Sequence, residues 1–296
     1  MKNPILAGAL LLSPLSLQAA TTVYTANFDA ATVGTNLPSP FVENNGAGTS
    51  NSSIFENSPG DNVLLQRVSN TSAGTTAGPA NSSASIPFTD LGGSVNFSVS
   101  TSFRINENTL TNNNGSTFNI SIGALGDNAN LGAGNRYMLT YTLRSPGGSQ
   151  PPGSLSINEV ASTPGGMTAV QGTFYTSGSP AVQVGVTATG APANVALDSL
   201  YTLTLTGVYN AGVLRLTGTL TGENGTDLTV IADDTSPRTG TNFGIRTALN
   251  SVGTAGNNAA GTLEAEFETF QVIPEPGSVA LLGLGLGALG LRRKRA

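Results

Sequence analysis

Val95-Asn96-Phe97-Ser98-Val99-Ser100-Thr101-Ser102-Phe103-Arg104-Ile105 decides the fold class. Val95, Phe97, Val99, Thr101, Phe103 and Ile105 fall on one side of an extended chain. Asn96, Ser98, Ser100, Ser102 and Arg104 fall on the other. Period 2 over eleven residues predicts a strand with one dry and one wet face, as in an antiparallel sheet. Wound as a helix, the same residues would spread their apolar side chains around the whole axis, and one core could not bury them.

The same alternation recurs on both sides of this stretch. Thr22–Asp29 and Val63–Val68 precede it, with Thr35–Pro59 and Ser69–Ser85 reading as loops rich in small polar residues. After it come Phe118/Ile120/Ile122, Tyr137/Leu139/Tyr141/Leu143, Ser154–Val160 and Val182/Val184/Val186. Tyr201–Thr221 reads as a hairpin turning through Tyr209-Asn210-Ala211-Gly212. Leu228–Ala232, Asn242–Thr247 and Gly261–Val272 complete the set. The one helical candidate is a single turn at Asn194–Leu200. About a dozen amphipathic strands without a blade-length repeat predict an all-β, two-sheet antiparallel sandwich, with Thr22–Asp29 beside Gly261–Val272. Val95, Phe97, Val99, Phe103, Leu203, Leu205, Leu214 and Leu216 are its expected core.

Composition narrows the chemistry. The chain has no cysteine, histidine or tryptophan. Thiol catalysis, thiolate metal sites and imidazole general bases are therefore excluded, and so is the best platform for stacking on a sugar ring. Between residues 20 and 272 there is no lysine, and seven arginines face sixteen carboxylates. Such an acidic surface is unsuited to nucleic acid, which requires clustered cations.

The ends carry addresses. Lys2, the apolar Ile5–Leu12 and the small residues around Ala19-Ala20 form a signal-peptide pattern over residues 1–19. Residues 20–272 are then the β-sandwich domain. Residues 273–296 hold Pro274-Glu275-Pro276, an uncharged run Ser278–Leu291, and Arg292-Arg293-Lys294-Arg295. The prolines cannot continue a ladder. Gly277–Leu291 would reach roughly 22 Å as a helix, short of the about 30 Å hydrocarbon core. The four cations resist translocation and act as a basic stop.

This tail resembles the PEP-CTERM sorting signal of exported bacterial proteins. The likeness lies in Pro274, Glu275 and Pro276, the Gly/Leu-rich span and the basic end. It implies recognition and removal by a membrane peptidase, exosortase, after transient anchoring through the apolar segment, and a final place at the cell surface or in the extracellular matrix. The body in turn resembles the concanavalin A-like, or laminin G-like, jelly rolls. Asn27-Phe28-Asp29, Tyr201–Gly207, Phe243–Arg246 and Phe267–Val272 carry that likeness.

Three constellations hold candidate chemistry. Glu264, Glu266 and Glu268 would line one strand face at about 6.6 Å spacing, which is similar to the catalytic strand of jelly-roll glucanases. Retaining glycosidases need two carboxyl groups about 5–5.5 Å apart. Here the middle residue is Glu rather than Asp and the last Glu comes one position early, so a solvated, pairing-resistant face is the simpler reading of these residues. Asp127-Asn128-Ala129-Asn130 and Asp233-Asp234 could offer oxygens to calcium, though Asp and Asn are also ordinary turn residues. No catalytic residue, metal ligand or resident cofactor is assigned. The expected function is a non-enzymatic, exported surface or matrix protein associated with extracellular polysaccharide. A lectin-like carbohydrate-binding module is the alternative, and a glycoside hydrolase a further one.

Overall fold

The computed structural model describes residues 23–34, 37–45, 49–70, 81–89, 96–109, 117–144, 154–160, 167–171, 174–175, 185–186, 197–223, 227–250 and 261–274. The described elements are all strands: β1 (Tyr24–Asn27), β2 (Val42–Asn45), β3 (Thr49–Ser58), β4 (Asp61–Asn70), β5 (Asn81–Pro87), β6 (Phe97–Asn108), β7 (Thr117–Gly126), β8 (Arg136–Arg144) and β9 (Ser154–Val160). Then come β10 (Met167–Gln171), β11 (Phe174–Tyr175), β12 (Gly185–Val186), β13 (Tyr201–Asn210), β14 (Val213–Gly222), β15 (Asp227–Asp234), β16 (Asn242–Asn250) and β17 (Gly261–Pro274).

Two antiparallel sheets form the sandwich. One has nine strands in the order β10-β15-β14-β13-β6-β17-β4-β3, with β1 beside β17. The other has six, in the order β2-β5-β16-β7-β8-β9. The two short strands β11 and β12 pair with each other. β17 is the long spine of the larger sheet. Its first half pairs with β4 and its second half with β1, while β6 runs along its other edge. The expected closure of the first and last strands is therefore present.

The opening stretch behaves as its pattern dictates. Phe97, Val99, Phe103 and Ile105 are fully buried, and their serine neighbours face outward. Leu203, Leu205, Leu214 and Leu216 are buried too, so the expected core is observed except at Val95, which lies outside the described residues. Thr101 also points inward, and its hydroxyl donates to the Thr269 carbonyl at 2.6 Å, which removes the cost of burying it. The Phe97 ring packs edge-on to Phe243 of the opposite sheet at 5.6 Å. It also lies over Gly207, where an added Cβ would come within 2.4 Å of the ring.

Four expectations are corrected. The segment read as loop from Thr35 to Pro59 contains β2 and β3, and the one read as loop from Ser69 to Ser85 contains most of β5. Neither shows alternation, because small hydroxyl residues occupy interior positions there. Ser52 and Ser82 meet between the sheets at 2.7 Å, and Gln66 donates to Ser52 at 3.3 Å. The β13–β14 hairpin turns through Ala211-Gly212 alone, since Asn210 pairs with Val213. Both turn residues have positive φ, 50° and 88°, the two-residue geometry that matches strand twist. Near Asn194–Leu200 the described part, 197–200, is a turn and not a helix.

Candidate functional site

Of the sorting residues, Pro274 is described. It is buried at the end of β17, opposite Phe97, and having no backbone donor it ends the ladder there. Glu275, Pro276 and the basic stop Arg292, Arg293, Lys294 and Arg295 lie outside the described residues, as do residues 1–19.

The Glu264/Glu266/Glu268 face is not a free acid–base pair. A bulge between Phe267 and Thr269 displaces Glu268 from even register. Glu268 accepts from Arg104 Nε at 2.9 Å, and Glu264 lies 3.7 Å from Arg67. Glu266 accepts from the Asn106 amide, and burial pushes its carboxyl above the ordinary range, partly offset by that bond. Every member already has its own partner.

The calcium candidates are likewise engaged. Asp127 accepts from the Asn135 backbone at 2.8 Å and from its amide at 2.7 Å. Asn128 and Asn130 cap the backbone N–H groups of Asn130 and Gly132 at 2.8 and 2.7 Å. These carboxylate and amide oxygens hold a turn together. Asp233 takes two bonds from Arg215, at 2.8 and 2.9 Å, on the outer face. Asp234 points inward, where it accepts from the Tyr137 hydroxyl and from Ser236 N at 2.7 Å. The two adjacent aspartates thus face opposite ways. Among the described residues no group of three or more His, Cys, Asp or Glu could hold a metal ion.

Tyr137 and Asp234 belong to a buried network that sequence reasoning missed. Arg238 N donates to the Tyr137 oxygen at 3.0 Å, and its guanidinium pairs with fully buried Glu159. Burial and the Asp234 bond push the Tyr137 phenol strongly upward, so it stays protonated. The network joins β8, β9 and β15 at one end of the sandwich, and each charge in it has a partner.

The outer face of the six-stranded sheet is different. Strand register sets a row across it: Asn44, Ser83, Arg246, Ser121, Thr140, Ser156. Although this face points away from the core, Ser83, Ser121, Thr140 and Ala248 are buried, as are Met138 and Asn158 beside them. The β7–β8 loop folds back over part of it. Leu131 presses on Gly123, where a Cβ would lie 2.9 Å from a leucine methyl, and Ser85 Oγ donates to the Ala129 carbonyl at 2.5 Å.

Two arginines share this covered face. Arg136 donates to the carbonyls of Ala133 and Gly134 at 2.8 and 2.7 Å. Burial, then the charge of Arg246, pushes its guanidinium down to about 10 despite the opposing pull of Asp127. Burial alone pushes Arg246 down to about 10 as well. Both remain cationic at neutral pH. Arg246 forms no ion pair among the described residues, and its Nε, the Nε of Arg136 and the Oδ1 of Asn119 have no hydrogen-bond partner. The row's hydroxyls are engaged with one another, Ser121 with Thr140 at 3.0 Å, and Ser83 with the Asn44 carbonyl at 3.2 Å. An alternating sequence with Arg on its polar side gives no hint of this arrangement.

Residues 272–295 match the model of the PEP-CTERM protein-sorting motif. No curated protein matches the chain. Its structure is similar to legume-lectin jelly rolls. The Lotus tetragonolobus seed lectin is 12% identical, with 86% of this chain and 100% of that one covered at a TM-score of 0.46. The winged bean acidic lectin complexed with methyl-alpha-D-galactose is 13% identical, with 85% and 99% covered at 0.47. Lectin II from Ulex europaeus is 12% identical, with 83% and 98% covered at 0.40.

Proposed function

We propose that this protein is a non-enzymatic component of the bacterial cell surface or extracellular matrix, held in association with exopolysaccharide. The observation that carries the reading is the sorting motif at 272–295, which marks an exported protein and implies processing by exosortase. In this reading residues 1–19 are a signal peptide, 20–272 the working domain and 273–296 a sorting signal. The domain reaches the surface without its tail, after transient anchoring through the apolar segment. A short glycine-rich span is a weak anchor, and the arginines behind it hold it only until the peptidase acts. The engagement of Glu264, Glu266 and Glu268 with separate partners favours a binding or structural role over hydrolysis. No cofactor is assigned to that role, and the Asp127 carboxylate already accepts two hydrogen bonds from Asn135.

Intact mass of the protein from its native host tests the processing. The expected mass lacks residues 1–19 and the residues after the Pro274–Pro276 region. A surface-located chain still ending in Ala296 would instead make the tail a plain membrane anchor. Deleting Arg292–Arg295 should let the tail slip and spoil sorting, measured as loss of surface-located protein.

A further inference from the structure

On the outer face of the six-stranded sheet, Arg136 ties down the loop carbonyls of Ala133 and Gly134, whereas Arg246 has no role in the packing described so far. Elsewhere the chain matches its guanidinium groups with carboxylates: Arg67 with Glu107 and Glu264, Arg104 with Glu268, Arg215 with Asp233, Arg238 with Glu159. Arg246 has no such partner among the described residues. It shares its face with a second cation, Arg136, which lies four residues along β8 from the Thr140 of its row and feels its charge. Burial disfavours the charge of both. An uncompensated buried charge is costly, and proteins normally pair it or remove it. Arg246 still keeps partial exposure, so solvent reaches the side chain even though its Nε is shielded.

The unpaired groups set the shape of the missing partner. Arg246 and Arg136 each leave a donor unused, and Asn119 on the same face leaves an acceptor unused. An anion with a planar pair of oxygens satisfies a guanidinium fork, and a neighbouring hydroxyl satisfies the amide oxygen. Serine and threonine hydroxyls floor the rest of the row. A densely charged polyanion does not fit, because the body around the site carries more than twice as many carboxylates as arginines. A single carboxylate on a hydroxylated chain does.

We propose that Arg246 and Arg136 form a subsite for the carboxylate of a uronic-acid unit in an acidic polysaccharide. This rests on the reading of exopolysaccharide association and names the class of sugar involved. Binding supplies the counter-charge the fold lacks, so ligand and folded state stabilise each other.

Calorimetry on the processed protein recovered from the native host tests the subsite. The probes are an otherwise neutral oligosaccharide carrying one uronate unit, the same oligomer with that carboxylate reduced to an alcohol, and the reduced oligomer sulfated at that alcohol. The uronate oligomer should bind at least tenfold more tightly than the reduced one. R246Q should lose that preference while keeping its circular-dichroism spectrum, and should leave the reduced oligomer unaffected. Equal binding of uronate and reduced oligomers would overturn the carboxylate subsite and leave polysaccharide association standing. Preference for the sulfated form would overturn the carboxylate assignment in favour of a sulfate ester. Absence of binding to all three, with no retention in the native matrix, would overturn the association itself. If R246Q does not fold, R136Q and the wild-type melting midpoint decide. A midpoint raised by the uronate oligomer and not by the reduced one supports the subsite, and equal shifts overturn it.

Discussion

On its outer side the nine-stranded sheet sets Ser98, Ser100 and Ser102 beside Thr206, Thr204 and Thr202, which in turn pair with Thr217, Thr219 and Thr221. All nine are half-buried or exposed. The outer side of the six-stranded sheet is just as polar, yet Ser83, Ser85, Ser121, Thr140 and Asn158 are buried. Arginines sharpen the contrast. Those of the larger sheet lie at or near the surface in ion pairs with carboxylates, while Arg136 and Arg246 of the smaller sheet are largely enclosed and form no ion pair among the described residues. A polar residue facing water needs no explanation. The same residue under cover needs a partner, and where the chain provides none the partner is sought outside it.

The core that both faces share sets the largest expected effect. Phe97→Ala should cost about 3–5 kcal/mol in a denaturant melt, because Gly207 beneath the ring has no side chain to fill the gap. A loss below about 1 kcal/mol, the range of ordinary surface substitutions, would mean that the buried and exposed faces of β6 are reversed.

Arginine substitutions test the comparison directly. Arg246→Met should raise the stability of the unliganded protein by about 1–3 kcal/mol, since it removes a buried, unsatisfied group. Arg104→Met should lower it by about 0.2–1 kcal/mol through loss of a half-exposed ion pair. Effects of the same sign at both positions would erase the distinction between the two faces.

Glu266 is the exception on the open face, buried although it faces outward. Its folded carboxyl titrates above the unfolded one, so its favourable contribution is full below the unfolded pKa and is lost as pH rises through the folded value. Glu266→Gln should therefore raise the melting midpoint at neutral pH and make no difference in acid. Thermal melts across that range check it, and a variant that is less stable at neutral pH would contradict the assignment.

A small effect of the opposite sign to most substitutions belongs to the β13–β14 turn. Ala211 sits at φ 50°, where alanine is strained and asparagine is tolerated. Ala211→Asn, which creates the favoured Asn-Gly pair, should add about 0.5–1 kcal/mol by thermal melting.

Much of this was legible in the chain, and unevenly so. β6, β13 and β14 announce themselves because their inner residues are large and their outer ones small and polar. β5, read as Asn81-Ser82-Ser83-Ala84-Ser85-Ile86-Pro87, does not, because hydroxyls are buried on both of its faces. A serine bonded to another strand has the same letter as a serine in water. The carboxylates of β17 were visible as a spaced set, but their partners on β4 and β6 come from positions more than 150 residues away.

The sequence alone determined the two-sheet class, the core of its central strands and the sorting tail, because each is written in local order: alternation every second residue, or proline, apolar span and cations in succession. Only the tertiary structure decided which polar residues are covered. It carried Arg246 of β16 to Ser121 of β7, and brought the loop ahead of Arg136 down onto the same face. Burial is a property of what lies above a residue, and that is set by strand order and loop path, which no single stretch of sequence contains.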